Sequence, residues 1–202
     1  MRTPRLYLAS ASPRRRELLE QLQLGVLLLP QEVDESRLPG ELPEAYVLRV
    51  AAEKARAALQ DPGYDGSLPV LAADTSVVCE GLVLGKPADS KEALGMLRSL
   101  SGRQHQVLTA VVVATATQCR QQLVRTTVSF RALEEEELLA YWNTGEPRDK
   151  AGAYAIQGLG ALFVDRIEGS YSGVVGLPLF ETMQLLAQVG ITVESVLKRR
   201  YT

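Results

Sequence analysis

The residue types best suited to chemistry gather first between Leu8 and Arg16. Ser10, Ser12, Arg14 and Arg15 fall in a polar turn between the apolar run Leu6–Ala9 and a helix opened by Pro13. A strand feeding such a turn leaves backbone N–H groups pointing outward at the helix N-terminus, which is a natural anion site. Hydroxyls and arginines in the same turn add charge-assisted donors whose forked geometry suits phosphate. The plainer alternative is an ordinary helix start with a solvated basic face, and this segment by itself leaves both open.

Further along stand the groups that could act on a bound phosphate. Asp74 follows the apolar run Val70–Ala73 and precedes Thr75. The run reads as a central strand with Asp74 at its C-terminal end, the edge where open α/β sheets bind ligands. A carboxylate there can hold a metal ion or take a proton from water; otherwise it caps a turn. Lys54, on the small-residue side of a helix, and Lys86, before Pro87, are compact charges useful against a polyphosphate, although single lysines are usually solvated. Glu35, in the polar stretch Gln31–Arg37, could complete a carboxylate site for Mg²⁺ or remain a surface acid. Asp149, Lys150 and Gln157 lie in a stretch where Gly152, Gly158 and Gly160 would let backbone approach a ligand closely. Gln157 offers both a donor and an acceptor, enough to read a base edge. The alternative is a flexible turn, and the spacing matches no dinucleotide fingerprint. His105 alternates with Val107 along a strand and is read as structural.

These residues need elements to position them. Ser12 is placed to cap a helix running from Pro13 to about Gln23. Leu24–Leu29 is a second apolar run, stopped by Pro30. Leu42–Leu59 has helical periodicity, with Tyr46, Val47, Val50, Ala51, Lys54, Ala55 and Ala58 near one face. Val77–Val78, Glu80-Gly81 and Leu82–Leu84 read as a hairpin or a tight bend. Asp89 and Glu92 make an acidic capping box for a helix to about Leu100. His105–Thr115 and Leu123–Phe130 are β-prone and read as an antiparallel pair. Glu134–Glu137 load the first turn of a helix that Gly145 ends. A strand at Leu162–Ile167, a loop at Glu168–Gly176, a helix from Pro178 to about Val189 and a short helix at Val193–Arg199 complete the chain. Alternating strands and helices around a long β pair define an α/β protein.

Composition narrows the chemistry. The 202 residues suffice for a packed core in one domain, 1–202, or in two lobes about one cleft. A formal net charge of −2 argues against a nucleic-acid partner held by bulk positive charge. Cys79 and Cys119 do not make a disulfide framework, and His105, the one histidine, excludes a His-rich zinc site. Hydrolytic chemistry must then rest on carboxylates, lysines and a hard cation. No apolar run approaches a membrane span, and the stretch before Pro13 is too short for a signal-peptide core, so a cytoplasmic protein is expected.

Taken together, LASASPRRRELL, AADT, LGKP, LSGRQHQV, DKAGAYAIQG and VVGLP resemble the Maf family of nucleotide pyrophosphatases, in order and at compatible spacing over nearly the whole chain. The resemblance implies a Maf/ITPase-like α/β fold: an elongated, twisted, mixed sheet flanked by helices, with two lobes around a central cleft. It implies hydrolysis of a nucleoside triphosphate to the monophosphate and diphosphate, with Mg²⁺ or Mn²⁺ as the cofactor, in a cytoplasmic homodimer without nucleic-acid or membrane partners. Asp74 matches the family's proton acceptor. Ser10, Arg14, Arg15, Lys54 and Lys86 match its phosphate-gripping group, and Glu35 the acid that joins Asp74 in metal binding. Arg14, Thr75 and Gln157 match the residues marking the branch that acts on dTTP and UTP, with modified pyrimidine nucleotides as further candidates. The sister branch that prefers 7-methyl-GTP typically has Trp where Arg14 stands.

Departures from the family pattern are Ala72, Gly85 and Ala155. Ala155 replaces a frequent glycine and would be strained if that position required a positive φ. Two competing functions stay open on sequence. One is a nucleotide-binding regulator of septum formation without turnover; the other is a hydrolase that releases single phosphates.

Overall fold

Proline placement and the reach of apolar runs set the first elements of the chain. The computed structural model describes residues 3–198. Strand β1 is Pro4–Leu8, with proline at its first position, where a missing N–H costs a ladder least. Helix α1, Pro13–Gln21, has proline at N1, buries Leu18 and Leu19, and ends before Gln23, whose φ is 57°. Strand β2, Gly25–Leu28, lies parallel to β1. Helix α2 is Pro43–Gln60, and strand β3, Val70–Cys79, pairs parallel with β1 through Tyr7↔Val70 and Leu8↔Leu71.

The other strands are β4 (Leu82–Leu84), β5 (Gln104–Ala114), β6 (Cys119–Phe130) and β7 (Val164–Glu168). Helices α3 (Ser90–Leu100), α4 (Glu135–Asn143), α5 (Tyr171–Val175), α6 (Leu179–Ala187) and α7 (Val193–Leu197) complete the set. The sheet is mixed and seven-stranded, in the order β2-β1-β3-β5-β6-β7, with β4 on β3, so the α/β class is as expected. Among the described residues, no helix is long and apolar enough to cross a membrane.

The chain divides into two compact units. The first takes the residues up to Asp74, Thr109–Val124 and the segment from Gly176 onward. In it β1 has β2 on one side and β3 on the other, both parallel to it. The chain leaves β1 through α1 to one neighbour and returns through α2 to the other. The strand order therefore reverses at the carboxyl end of β1, the place where a doubly wound sheet opens a crevice. Its core includes Leu6, Leu8, Leu19, Val47, Val50, Leu71 and Leu186, each essentially inaccessible to solvent.

The second unit takes Thr75–Leu108 and Arg125–Val175. Cys79 pairs with Leu82 across a two-residue turn, with both Glu80 (φ 50°) and Gly81 (φ 79°) in the left-handed region, as a type I′ hairpin turn requires. Asp89 Oδ1 accepts the Glu92 N–H at 2.8 Å and caps α3. Glu134 and Glu137 form a reciprocal capping box on α4. The core holds Leu97, Leu100, Val128, Leu138 and an aromatic group in which Phe130 meets His105, Tyr154 and Phe163 edge-on.

Several boundaries differ from the sequence reading. β3 runs on through Asp74 to Cys79, so Asp74 is mid-strand rather than at its end. β6 starts at Cys119, before the apolar part of its sequence. Leu162 and Phe163 lie in a short 3₁₀ segment, and β7 starts only at Val164. The stretch read as a loop contains α5, where the Ser170 Oγ accepts the Gly173 N–H at 3.0 Å and so caps a helical turn. The last helix is Val193–Leu197; the expected end at Arg199 lies outside the described residues.

Candidate active site

The turn after β1 is organised by Ser10. Its buried hydroxyl accepts the Ser12 N–H at 3.2 Å and an Arg15 Nη1–H at 3.1 Å. Arg15 also donates through Nε to the Gly176 carbonyl at 2.9 Å. Ser12 occupies the N-cap position of α1, but its side chain accepts no capping hydrogen bond, contrary to expectation. With the cap role left empty, the turn is tightened by Ser10 instead. Arg15 is buried, and Arg14 beside it is half-buried. Burial pulls the Arg15 pKa down, while the charges of Asp74 and Glu35 work to hold its proton.

Lys54 follows from helical geometry. The buried face of α2 is Val47, Val50, Ala51, Lys54, Ala55 and Ala58, the i, i+3, i+4, i+7 stripe of an amphipathic helix. A charge in that stripe must be partnered. Lys54 Nζ lies 2.9 Å from Asp74 Oδ1 and 2.7 Å from Glu35 Oε1. Asp74 comes from β3, three positions beyond Leu71, the last residue paired with β1, so its flank faces the region past the end of β1. It is buried, and that burial raises its carboxyl above the usual range, against the opposing pull of Lys54 and Arg15. The result is a desolvated carboxylate that holds a proton more tightly than an exposed one does.

Glu35 sits in a segment without regular structure that is nonetheless fastened to α2. Tyr46 donates its hydroxyl to the Glu35 carbonyl at 2.9 Å. Arg49 reaches both oxygens of Glu41 (2.7 and 2.9 Å), Glu53 (3.1 Å) and the Ser36 carbonyl (2.9 Å). This clamp holds the Glu41 carboxyl down to a pKa of about 2. Arg49 had no place in the sequence reading. The available signal was its i, i+4 spacing to Glu53 on a predicted helix.

Among the described residues, no group of three or more His, Cys, Asp and Glu is placed to hold a metal ion. Glu35 and Asp74 supply two carboxylates converging on one ammonium. That set does not suit a closed transition-metal site. It does fit Mg²⁺ or Mn²⁺, since Mg²⁺ commonly takes one or two carboxylates and completes its shell with substrate phosphates and water.

The remaining candidates belong to the second unit. Thr75 is half-buried on β3, and Lys86 and Gln157 are exposed. The segment carrying Lys86 is tied to the Gly-rich stretch by the Gly152 N–H, which donates to the Gly85 carbonyl at 3.0 Å. The glycines of that stretch answer to protein neighbours. A Cβ on Gly152 would meet Val77 at 2.9 Å, one on Gly158 would meet Glu146 at 2.2 Å, and one on Gly160 would meet Ala155 at 2.7 Å. Ala155 is not among the residues with positive φ, so it carries no strain for replacing a glycine; Ala153, at 57°, is the alanine that does adopt that region. His105 is buried and its Nε2 lies 2.9 Å from the Tyr154 hydroxyl, a packing role as expected. Cys79 and Cys119 are free thiols.

In this α/β protein a buried carboxylate on a lysine, and a buried arginine bonded to a serine, lie near the point where the order of the parallel strands β2, β1 and β3 reverses, an arrangement able to receive an anionic ligand. Residues 5–189 match the family model for Maf-like proteins, and the chain belongs to that family. It is 52% identical over 190 residues to a protein of Methylobacillus flagellatus named dTTP/UTP pyrophosphatase, covering 94% of each chain. Proteins with the same name from Pseudoalteromonas atlantica (50% identical, 94% of this chain and 99% of that one) and Nitrosomonas europaea (52%, 93% and 96%) are similarly close. Among solved structures, the Ham1 protein of Staphylococcus aureus aligns with a TM-score of 0.42 and 16% identity, over 62% of this chain and 70% of that one.

Proposed function

We propose that this chain is a nucleoside triphosphate diphosphatase that cleaves dTTP and UTP to the monophosphate and diphosphate, working as one domain over residues 1–202. The observation that carries the reading is the buried Asp74 carboxylate held on Lys54, with Arg15 close enough to act on its charge. Membership of the Maf-like family and the names of its relatives support the substrate class.

In this reading Asp74 orients a water toward the α-phosphorus and takes its proton. Arg15 is pre-set by Ser10 and Gly176, so it meets the polyphosphate without first being ordered. Arg14, Lys54 and Lys86 are the further cations assigned to stabilising the charge that accumulates on the leaving diphosphate. Thr75 and Gln157 select the pyrimidine, because a site built for its hydrogen bonds leaves polar groups unpaired beside a wrong base. Glu35 and Asp74 would hold a divalent cation, and the chemistry a bound Mg²⁺ or Mn²⁺ supplies is neutralisation of the triphosphate. The family resemblance also supports a cytoplasmic homodimer and an extension to modified pyrimidine nucleotides. A regulator without turnover would have no use for a desolvated carboxylate poised as a base.

The test is to incubate the protein with a panel of nucleoside triphosphates and Mg²⁺ or Mn²⁺, scoring diphosphate and single phosphate separately. Diphosphate from dTTP and UTP is expected, and Asp74→Ala should lower turnover by at least about a hundredfold, the scale of a lost general base. Full activity in Asp74→Ala, or release of single phosphates, would overturn the reading.

A further inference from the structure

The turn that carries Gln157 is fastened from both sides by two residues the mechanism above does not use. Ala155 and Ile156 are buried, Gln157 is exposed, and the Gly158 N–H returns to the Ala155 carbonyl at 3.1 Å to close the turn. Glu146 sits beneath it. One carboxylate oxygen accepts the Leu159 N–H at 2.9 Å; the other accepts the Gly160 N–H at 3.0 Å and the Tyr141 hydroxyl at 2.7 Å. Tyr141 in turn accepts the Ala155 N–H on its hydroxyl oxygen at 3.0 Å. The chain Ala155–Tyr141–Glu146–Gly160 thus ties the residue two positions before Gln157 to the backbone two and three positions after it.

The clasp is charged and close-fitting. Burial pushes the Glu146 carboxyl up, but the N–H groups of Leu159 and Gly160 and the Tyr141 hydroxyl outweigh it and hold the group below the usual range. An ionised carboxylate accepting three donors is a strong anchor. A Cβ on Gly158 would lie 2.2 Å from Glu146 Oε2, and one on Gly160 would lie 2.7 Å from the Ala155 carbonyl oxygen and 2.8 Å from the Tyr141 hydroxyl, so either would force part of the clasp to shift. The glycine spacing around Gln157 is therefore what the clasp requires.

We infer that Glu146 and Tyr141 are positioning residues for base selection, fixing the 155–160 turn so that Gln157 presents its amide to the base in one orientation. The inference rests on the reading of Gln157 as the base reader. A side-chain amide discriminates between bases only if its donor and acceptor ends are held in place; on a loose turn it can adapt to either hydrogen-bonding pattern.

The experiment compares kcat/KM for dTTP and dCTP in Gln157→Ala, Glu146→Gln, Tyr141→Phe and the double variant Glu146→Gln/Gln157→Ala, with amide hydrogen exchange followed over 155–160. Glu146→Gln and Tyr141→Phe should each reduce the dTTP-to-dCTP preference by about tenfold, chiefly through a higher KM for dTTP, with faster exchange in the turn. The double variant should be no less selective than Gln157→Ala alone, because residues acting through one another are not additive. If Gln157→Ala lowers the preference while Glu146→Gln and Tyr141→Phe leave it intact, the clasp is merely structural and the inference fails alone. Additive losses in the double variant also overturn it. An unchanged preference in Gln157→Ala removes the base-reader assignment and this inference with it. Should Tyr141→Phe not fold, Glu146→Gln, which keeps the side chain's volume, decides the matter.

Discussion

Lys54 Nζ lies 2.9 Å from Asp74 Oδ1, a lysine from the buried stripe of α2 meeting a carboxylate in the middle of β3. Burial raises the Asp74 carboxyl, and Lys54 is the largest influence pulling it back. Replacing Lys54 with Met removes that pull, so Asp74 must hold its proton to a higher pH. The acid limb of the kcat/KM profile should therefore move upward in pH in Lys54→Met, and activity at neutral pH should fall by at least about tenfold, partly recovering as pH rises. A pH–rate series on dTTP reads this directly. An acid limb that stays in place would mean that another group titrates in it.

The segment bearing Glu35 depends on Arg49, whose guanidinium spans Glu41, Glu53 and the Ser36 carbonyl. Lysine cannot reproduce that fork. In Arg49→Lys the Mg²⁺ concentration for half-maximal activity should rise by about tenfold, the lower end of the range for residues that orient metal-holding carboxylates, with kcat at saturating cation within about threefold of the unmodified protein. Cation titration at fixed dTTP measures it. An equal loss of kcat at every cation concentration would assign Arg49 a different role.

How much of this could be read from the chain depends on whether a residue's partners are near it in sequence. Lys54 was visible as a charge inside a helical stripe, and the hairpin at Glu80-Gly81 as a two-residue turn, because both signals are local. Asp74 was recognised as important but misplaced at a strand end. A charged residue ordinarily ends a buried run, but Lys54, twenty positions earlier, pairs with Asp74 inside β3. Arg49 was missed because most of what it grips lies in a segment with no periodicity. Gly158 and Gly160 suggested close approach, and the close approach is real, but the neighbours are Glu146 and Tyr141, whose positions sequence spacing does not give. The helix at Tyr171–Val175 is too short to show a period, and its Ser170 cap resembles any loop serine.

His105 predicts how the fold responds to acid. It is buried against Phe130 and Tyr154, and burial lowers its pKa to about 4. The unfolded chain, with an ordinary value near ~6.5, takes up the proton first as pH falls. The stability tied to neutral His105 is thus complete above roughly pH 6.5 and lost between there and about pH 4, about 2 kcal/mol of it by roughly pH 5. His105→Gln, which keeps a hydrogen-bonding group for Tyr154, should flatten that slope. Tm measured from pH 7.5 to 4.5 in both proteins tests it, and parallel curves would show that another group drives the acid transition.

Asp74 should show activity and stability opposed at one side chain. Its folded-state pKa is raised, so the folded protein binds the Asp74 proton more tightly than the unfolded chain does. Ionised Asp74 therefore costs stability. The cost is fully present above the folded pKa and vanishes as pH falls below the unfolded value. Asp74→Asn removes the charge while Lys54 keeps Glu35 at 2.7 Å, so no lone ammonium is left buried. The variant should lose at least about a hundredfold in kcat, as expected for a missing base, yet melt at or above the temperature of the unmodified protein at neutral pH. The difference in Tm should shrink toward acid, where Asp74 is protonated in both states. A variant that melts lower at neutral pH would show that the Lys54–Asp74 pair stabilises the fold, and that the raised proton affinity assigned to the base is wrong in sign.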